Sequence, residues 1–342
     1  FFAPLMLLLI GLSTLLVVYI GGIEVSKGSF TAGNIAEFVF YINMLTWPVA
    51  SLGWCVSLIQ RAEASQKRIN NFLQDKNEII NQPTTSLETI EHISFNHVTF
   101  VYPDTGIQAL TDINFDIKKG EKIAIVGKTG SGKSTIAELL LRTYDVEKGS
   151  VTINGSNIQQ IDLAKYRNSI GYTPQDVFLF SDTVKNNILF GNEIESESES
   201  ESERVKKYAT IAHVHNDIMQ LPKKYETIVG ERGVMLSGGQ KQRISIARSL
   251  IKEPELVLLD DCLSAVDAKT EKTILDNLYA TLHDKTVIFI THRIFAIMNF
   301  DKILLLEDGK IAEQGNHAEL MDMRGLYHDL YQLQQATEPS DN

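Results

Sequence analysis

Two stretches near the amino terminus carry no charged side chain: residues 1 to 23, closed by Glu24, and residues 38 to 60, between Glu37 and Arg61. As an α-helix rising 1.5 Å per residue, each is long enough to cross about 30 Å of hydrocarbon. A secretory signal is the competing reading of the first, but it lacks a basic n-region and a small-residue cleavage site, and its apolar run is too long. A buried core helix is the competing reading of the second, which contains Asn43 and Pro48. Such residues are tolerated in a span that neighbouring helices cover. Two membrane spans are therefore predicted, with lipid as a contact, and the helix formers of residues 61 to 80 predict that the second continues beyond the membrane. Arg61, Lys67 and Arg68 come directly after that span, so the positive-inside rule puts the chain beyond residue 60 on the cytoplasmic side. The chain begins without Met inside an apolar run and is expected to be the C-terminal part of a longer polypeptide.

The pattern then changes. Residues 81 to 93 are rich in Pro, Thr and Ser and read as a linker. Val98, Phe100 and Tyr102 alternate as in a strand, and DINFDIKKGEKIAIV (112 to 126) predicts a hairpin of two more. Later apolar runs are continuous: Ile123 to Val126, Leu256 to Leu259, Val287 to Ile290. Runs of that kind, separated by helical stretches, suit a parallel sheet covered on both faces. From about 178 to 245 the pattern is helical and predicts a separate helical lobe.

With 342 residues there is room for two domains. A formal net charge of −11 argues against nucleic acid as a partner, because phosphate neutralisation needs a basic face. Residues 195 to 203 alternate Glu and Ser with no apolar side to bury, and predict a solvated, mobile loop insertion, with a regulatory or partner-binding tract as the alternative. Cys55 and Cys262 form neither a disulfide framework nor a metal-ligand spacing. His213 and His215 are two apart in a helical context without a carboxylate or Cys cluster, which does not favour a metal.

The chemistry is most explicit at Gly127-Lys128-Thr129-Gly130-Ser131-Gly132-Lys133-Ser134-Thr135, which matches G-x-x-x-x-G-K-[ST] between a predicted buried strand and a helix. Its glycines let the backbone curl so that successive N–H groups face phosphate oxygens, and the helix N-terminus adds partial positive charge. Lys133 is expected to reach the β- and γ-phosphates of ATP, and the Ser134 hydroxyl to ligate Mg²⁺. Asp260 ends the LVLL strand, where open α/β sheets bind ligands, and can hold the same Mg²⁺. Its alternative role is a helix N-cap. Asp261, the next residue, would face an attacking water.

Leu236-Ser237-Gly238-Gly239-Gln240 precedes a helical run and by itself reads as a flexible helix start. Beside the phosphate loop, it makes the chain resemble the ATP-binding cassette family, whose signature is LSGGQ. The resemblance covers about residues 95 to 335 and implies an α/β P-loop nucleotide-binding domain over 94 to 336, with a parallel-sheet core, an antiparallel β subdomain and a helical lobe. It further implies that 1 to 80 are the last two helices of a transmembrane domain and 337 to 342 a disordered tail. By resemblance, Tyr102 stacks on adenine, Gln175 contacts Mg²⁺ and the attacking water, and His292 is the switch histidine. Ser237, Gly238, Gly239 and Gln240 would contact ATP held by a partner, Ser264 and Asp267 lie in a loop crossing the dimer interface, and TIVGERG (227 to 233) matches a stretch of the exporter branch.

The family normally has glutamate after the metal-binding aspartate, where this chain has Asp261. Slow hydrolysis at the chain's own site is expected, with ATP binding intact. The implied partner is a second exporter half, non-identical, with Glu at that position. The implied setting is a multi-pass protein of a bacterial plasma membrane that transports a small molecule. An ATP-gated channel or regulatory subunit, using binding alone, is the alternative; a soluble cassette clamp for DNA or ribosomes would not carry two uncharged runs ahead of the cassette.

Overall fold

The computed structural model describes residues 2–74, 79–81, 83–191, 199–230 and 236–337. Two compact units divide the chain at residues 78 and 79. The first consists of α1 (Phe2–Ser26) and α2 (Ala32–Gln74), long enough for about 37 and 65 Å of helix. Both pass the length and composition expected of a membrane span, and almost none of their apolar surface is buried within the unit. Within that unit the helices touch closely: a Cβ on Gly21 would lie 2.8 Å from Ile35 Cγ1. Pro48 lies inside α2, and the helix runs on through the charged stretch as far as Gln74.

The second unit holds two sheets. It runs through β1 (His92–Val101), β2 (Gln108–Lys118), β3 (Lys122–Gly127), α3 (Lys133–Leu140), β4 (Lys148–Ile153), β5 (Ser156–Asn157), α4 (Leu163–Asn168) and β6 (Ile170–Thr173). Four helices come next, α5 (Val184–Leu189), α6 (Glu199–Ile211), α7 (His215–Gln220) and α8 (Gly238–Leu250). Then come β7 (Leu256–Asp260), α9 (Ala268–Thr281), β8 (Thr286–Thr291), β9 (Lys302–Glu307), β10 (Lys310–Gly315), α10 (His317–Met323) and α11 (Leu326–Thr337). The sheet orders are β2-β1-β4-β5, antiparallel, and β10-β9-β3-β8-β7-β6, parallel except for the β10 edge.

The expected hairpin over 112 to 126 does not form: β2 and β3 are consecutive in the chain but belong to different sheets. Their burial explains it. β2 alternates buried and exposed along Asp112 to Lys118, as a one-sided sheet requires, whereas Ile123 to Val126 are buried on both faces. A strand with two apolar faces is stable only inside a covered sheet, so the chain crosses over at Lys119 and Gly120.

The Glu-Ser tract also departs from expectation. From Glu199 onward it is the first turn of α6, and Glu201 is buried against Lys185 with its carboxylate 3.0 Å from the ammonium. The helix is anchored by Val205, Tyr208 and Ala209, whose apolar face can carry good helix formers ahead of it. The tract's earlier residues lie outside those described. Among the described residues, α5 to α8 and the loops joining them make up 178 to 245, and their apolar side chains form one continuous core with the face of the parallel sheet carrying Ala124, Val257 and Leu259.

Packing of α8 on β6 depends on Gly171, where an added Cβ would meet Ser249 O and lie 2.7 Å from Pro254 Cγ. Gly171→Ala is expected to destabilise the unit by about 1–3 kcal/mol, read as a lower thermal midpoint of the full chain in detergent; an unchanged midpoint would show that this contact yields freely.

Candidate functional site

Pairing register brings residues far apart in sequence to one end of the parallel sheet. Val126 pairs with Thr291, and Ile290 with Asp260, so β3, β8 and β7 end together. The phosphate loop, His292 and Asp261 are the next residues along those strands. The Asp261 N–H donates to Ile290 O at 2.8 Å, tying the β7 exit to its neighbour. Gln175 sits two residues beyond the end of β6, exposed.

The loop from Gly127 leads to α3, whose N-cap Gly132 has φ +95 and offers no side-chain cap. Only glycine fits there: a Cβ would lie 2.6 Å from Ala109 O and 2.8 Å from Leu110 Cδ2, in a left-handed backbone. Because no side chain caps them, the first N–H groups of α3 remain available to an anion. The buried Ser131 hydroxyl likewise has no protein partner. Lys133 Nζ donates to Gly127 O at 2.8 Å and Lys128 O at 2.7 Å, so the ammonium stays inside its own loop. Burial lowers its pKa, and the nearby Asp261 and Asp260 carboxylates partly oppose that.

Ser134 Oγ donates to Asp260 Oδ1 at 3.2 Å. Asp260 is 3 % exposed, and burial pushes its carboxyl up to about 6; the Ser134 hydrogen bond and Lys133 lower it, while Asp261 and Glu138 raise it. Two hard oxygens side by side, one on a carboxylate that needs a positive neighbour, fit Mg²⁺, which takes few protein ligands and keeps waters or phosphate oxygens for the rest. Asp260 does not cap a helix; Asp267 does, accepting from Thr270 N at 3.0 Å to open α9.

Asp261 has φ +43, in the left-handed region, and its Oδ1 is 3.1 Å from His292 Nδ1. One residue of α11 holds the backbone from the His292 carbonyl to the Ile294 N–H. Gln334 Nε2 donates to His292 O at 2.6 Å, and Gln334 Oε1 accepts from Ile294 N at 2.9 Å. Arg293 pairs with Glu271 of α9. Tyr102 places its hydroxyl against α3, 2.7 Å from Glu138 Oε2 and 2.9 Å from Thr135 Oγ1. The carboxyl-terminal sheet end thus gathers Lys133, Ser134, Asp260, Asp261 and His292, with Gln175 at its margin.

Ser237, Gly238, Gly239 and Gln240 stand apart from that group, at the N-terminus of α8. Ser237 and Gln240 form a reciprocal capping box: Gln240 N donates to Ser237 Oγ at 3.2 Å, and Ser237 N to Gln240 Oε1 at 3.0 Å. A Cβ on Gly239 would lie 2.9 Å from Ala265 O, so glycine lets the helix start meet the 264–267 loop. Gln242, buried, fastens the two: its Nε2 donates to Ser264 Oγ and its Oε1 accepts from Ala265 N, both at 3.1 Å. The TIVGERG match runs beyond the described residues after Gly230. His215 Nδ1 is 2.8 Å from the Tyr225 hydroxyl, an ordinary structural contact.

Glu138, Gln242 and Gln334 carry no motif. Each acts on a residue 22 to 42 positions away, so only the folded contacts reveal them.

Residues 110–264 match the family described as ABC transporter. Over 98% of its length the chain is 44% identical to the probable multidrug resistance ABC transporter ATP-binding/permease protein YheI of Bacillus subtilis, covering 56% of that protein. It is 39% identical over its full length to the multidrug resistance-like ATP-binding protein MdlA of Escherichia coli, covering 57% of it. A bacterial Atm1-family ABC exporter solved with ATP bound superposes with a TM-score of 0.75 at 34% identity, over 99% of this chain and 58% of that one. The chain thus spans just over half the length of the relatives it matches.

The raised Asp260 pKa has a sign. The folded chain favours the protonated acid, so this group costs nothing below about pH 4, and withdraws stability as pH rises from the ordinary 3.8 through about 6. Asp260→Asn removes that cost, on the order of 2–3 kcal/mol. Without Mg²⁺ its thermal midpoint should exceed wild type at pH 8 and converge with it near pH 4; Mg²⁺ should raise the midpoint of wild type only, and only above about pH 6. Parallel pH profiles for the two proteins would contradict this.

Proposed function

The chain carries the nucleotide-binding domain of an ABC transporter, and from that premise we propose that it is one half of an ATP-driven exporter, working with a second, non-identical half. The observation that carries the reading is the convergence of Lys133, Ser134, Asp260, Asp261 and His292 at one sheet end, in a chain that also has two apolar-surfaced helices of membrane-spanning length. The multidrug names of its relatives support export of a drug-like, lipid or peptide cargo. The setting is a bacterial plasma membrane, with residues 1 to 80 as the last spans of the membrane domain and residues 94 to 336 in the cytoplasm.

Residues 127 to 135 would cradle the ATP phosphates, with Lys133 exchanging its two loop carbonyls for β- and γ-phosphate oxygens. Tyr102 would stack on the base. Ser134, Asp260 and Gln175 would hold Mg²⁺, which supplies charge neutralisation at the transferring phosphoryl group. Asp261 would take the proton of the attacking water. Its side chain is one methylene shorter than glutamate, a retreat of roughly 1 Å, and misplacement on that scale costs on the order of 100-fold. His292 Nδ1, 3.1 Å away, also competes with water for the same carboxylate. Ser237 to Gln240 would receive the γ-phosphate of ATP held by the partner, with Ser264 and Asp267 at the contact between halves. Binding would then close the pair, and hydrolysis, faster at a partner site with Glu, would release it and drive the membrane helices between states.

A second reading, an ATP-gated channel or regulatory subunit, is favoured by the Asp261–His292 pair, which hinders hydrolysis and leaves the binding residues intact. Uphill transport in vesicles separates the two: accumulation against a gradient supports the exporter, and passive, ATP-gated flux the channel.

Asp261→Glu is expected to raise steady-state ATPase of this chain, prepared with its membrane domain and without another half, by about tenfold or more. Lys133→Ala should abolish MgATP binding. Wild type turning over as fast as Asp261→Glu would refute the weakened base.

A further inference from the structure

Tyr102 is fixed at three levels. Its backbone is closed into a turn, with Tyr102 N donating to Ile107 O at 3.0 Å and Gly106 N donating to Tyr102 O at 2.8 Å. Its ring is braced by Phe100 and Tyr144, both edge-on, with centroids 5.0 and 5.6 Å away. Its hydroxyl reaches α3, the helix that begins at the phosphate loop, and meets Glu138 Oε2 at 2.7 Å and Thr135 Oγ1 at 2.9 Å. The bond to Glu138 is short and charge-assisted, the stronger class of hydrogen bond, and both partners are half-buried. Stacking on a base needs only an aromatic face, which phenylalanine would offer equally well. The hydroxyl therefore does something else.

We infer that Glu138 is a positioning residue for nucleotide recognition: by holding the Tyr102 hydroxyl it makes the phosphate-loop helix carry the aromatic platform for the base. Thr135, 4 % exposed and the residue directly after the phosphate-loop motif, shares that task through its side chain. Glu138 lies one helical turn beyond Ser134 and Thr135, so the face of α3 that ends at the metal-site serine also sets the height and tilt of the ring. Base and phosphates are then read by one rigid body. A ring released from Glu138 would retain its stacking face but would adopt several tilts, and ATP would have to select among them at a cost in affinity. The inference rests on the ATP-binding reading of the site, and goes beyond it in assigning this chain's Glu138.

The test separates base-dependent from phosphate-dependent affinity. Full chain in detergent is titrated with MgATP and, separately, with Mg-tripolyphosphate, which has the phosphates and no base. Tyr102→Phe and Glu138→Ala should each weaken ATP about five- to tenfold, while tripolyphosphate affinity stays within about twofold of wild type. The double variant should be no weaker for ATP than Tyr102→Phe alone, because the bond that Glu138→Ala removes is already lost with the hydroxyl. Glu138→Gln, whose amide oxygen can still accept from the hydroxyl, should recover most of the loss. Tripolyphosphate binding also reports that each variant retains a folded phosphate loop. Equal weakening of both ligands by Glu138→Ala, or additive losses in the double variant, would overturn the inference. A wild-type chain that binds tripolyphosphate but gains nothing from the base would overturn it as well. Failure of wild type to bind either ligand would instead overturn the ATP reading on which it rests.

Discussion

Everything at the site depends on the in-register pairing of β3, β8 and β7. Strands in a sheet lie about 5 Å apart, so three that end at the same level present their next residues across roughly 10 Å. Here those residues are the phosphate loop, His292 and Asp261, with Asp260 closing β7. The pairing is possible because all three strands are apolar on both faces, which a parallel sheet covered by helices demands. A slip of one residue in β7 would withdraw Asp260 from Ser134 and turn Asp261 away from His292. Burying two apolar faces therefore fixes the polar geometry at the strand ends.

That geometry is electrostatically unsettled without a ligand's charges. Asp260 is buried beside a second carboxylate, Lys133 is partly buried among carbonyls, and each is shifted toward its neutral form. Ser134 and Lys133 moderate the cost without removing it. A nucleotide with its cation brings both signs at once, so the residues that are least comfortable alone are the ones best matched to it.

Much of this is legible in the sequence because its signals are local. The glycines before Lys133 and the aliphatic runs before Asp260 and His292 each state strand, turn and helix within a dozen residues. The hairpin expectation fails because the KKGE segment is a sound turn in either topology; the deciding fact is the two-faced burial of β3, which its continuous apolar run already implies. The loop expectation fails at Glu199 to Glu203 because alternation without apolar residues says nothing about whether the next turn, with Val205 and Tyr208, will anchor a helix. Glu138, Gln242 and Gln334 are invisible for another reason. Their meaning lies in partners brought together by the tertiary fold, and a glutamate or glutamine on a helix looks the same in sequence whether it faces solvent or holds an active loop.

The capping box at Ser237 has a further consequence. In that box the hydroxyl oxygen is an acceptor, from Gln240 N, and among the described residues none takes its own hydrogen. With Gly239 pressed on Ala265 and Gln242 locking the adjoining loop, the start of α8 is already rigid within a single subunit. A phosphate arriving from outside would find a donor in place, with no loop to order and no cap to break. For the proposed pair of halves, the entropy of building this side of the contact would be spent when the chain folds rather than when the two chains meet.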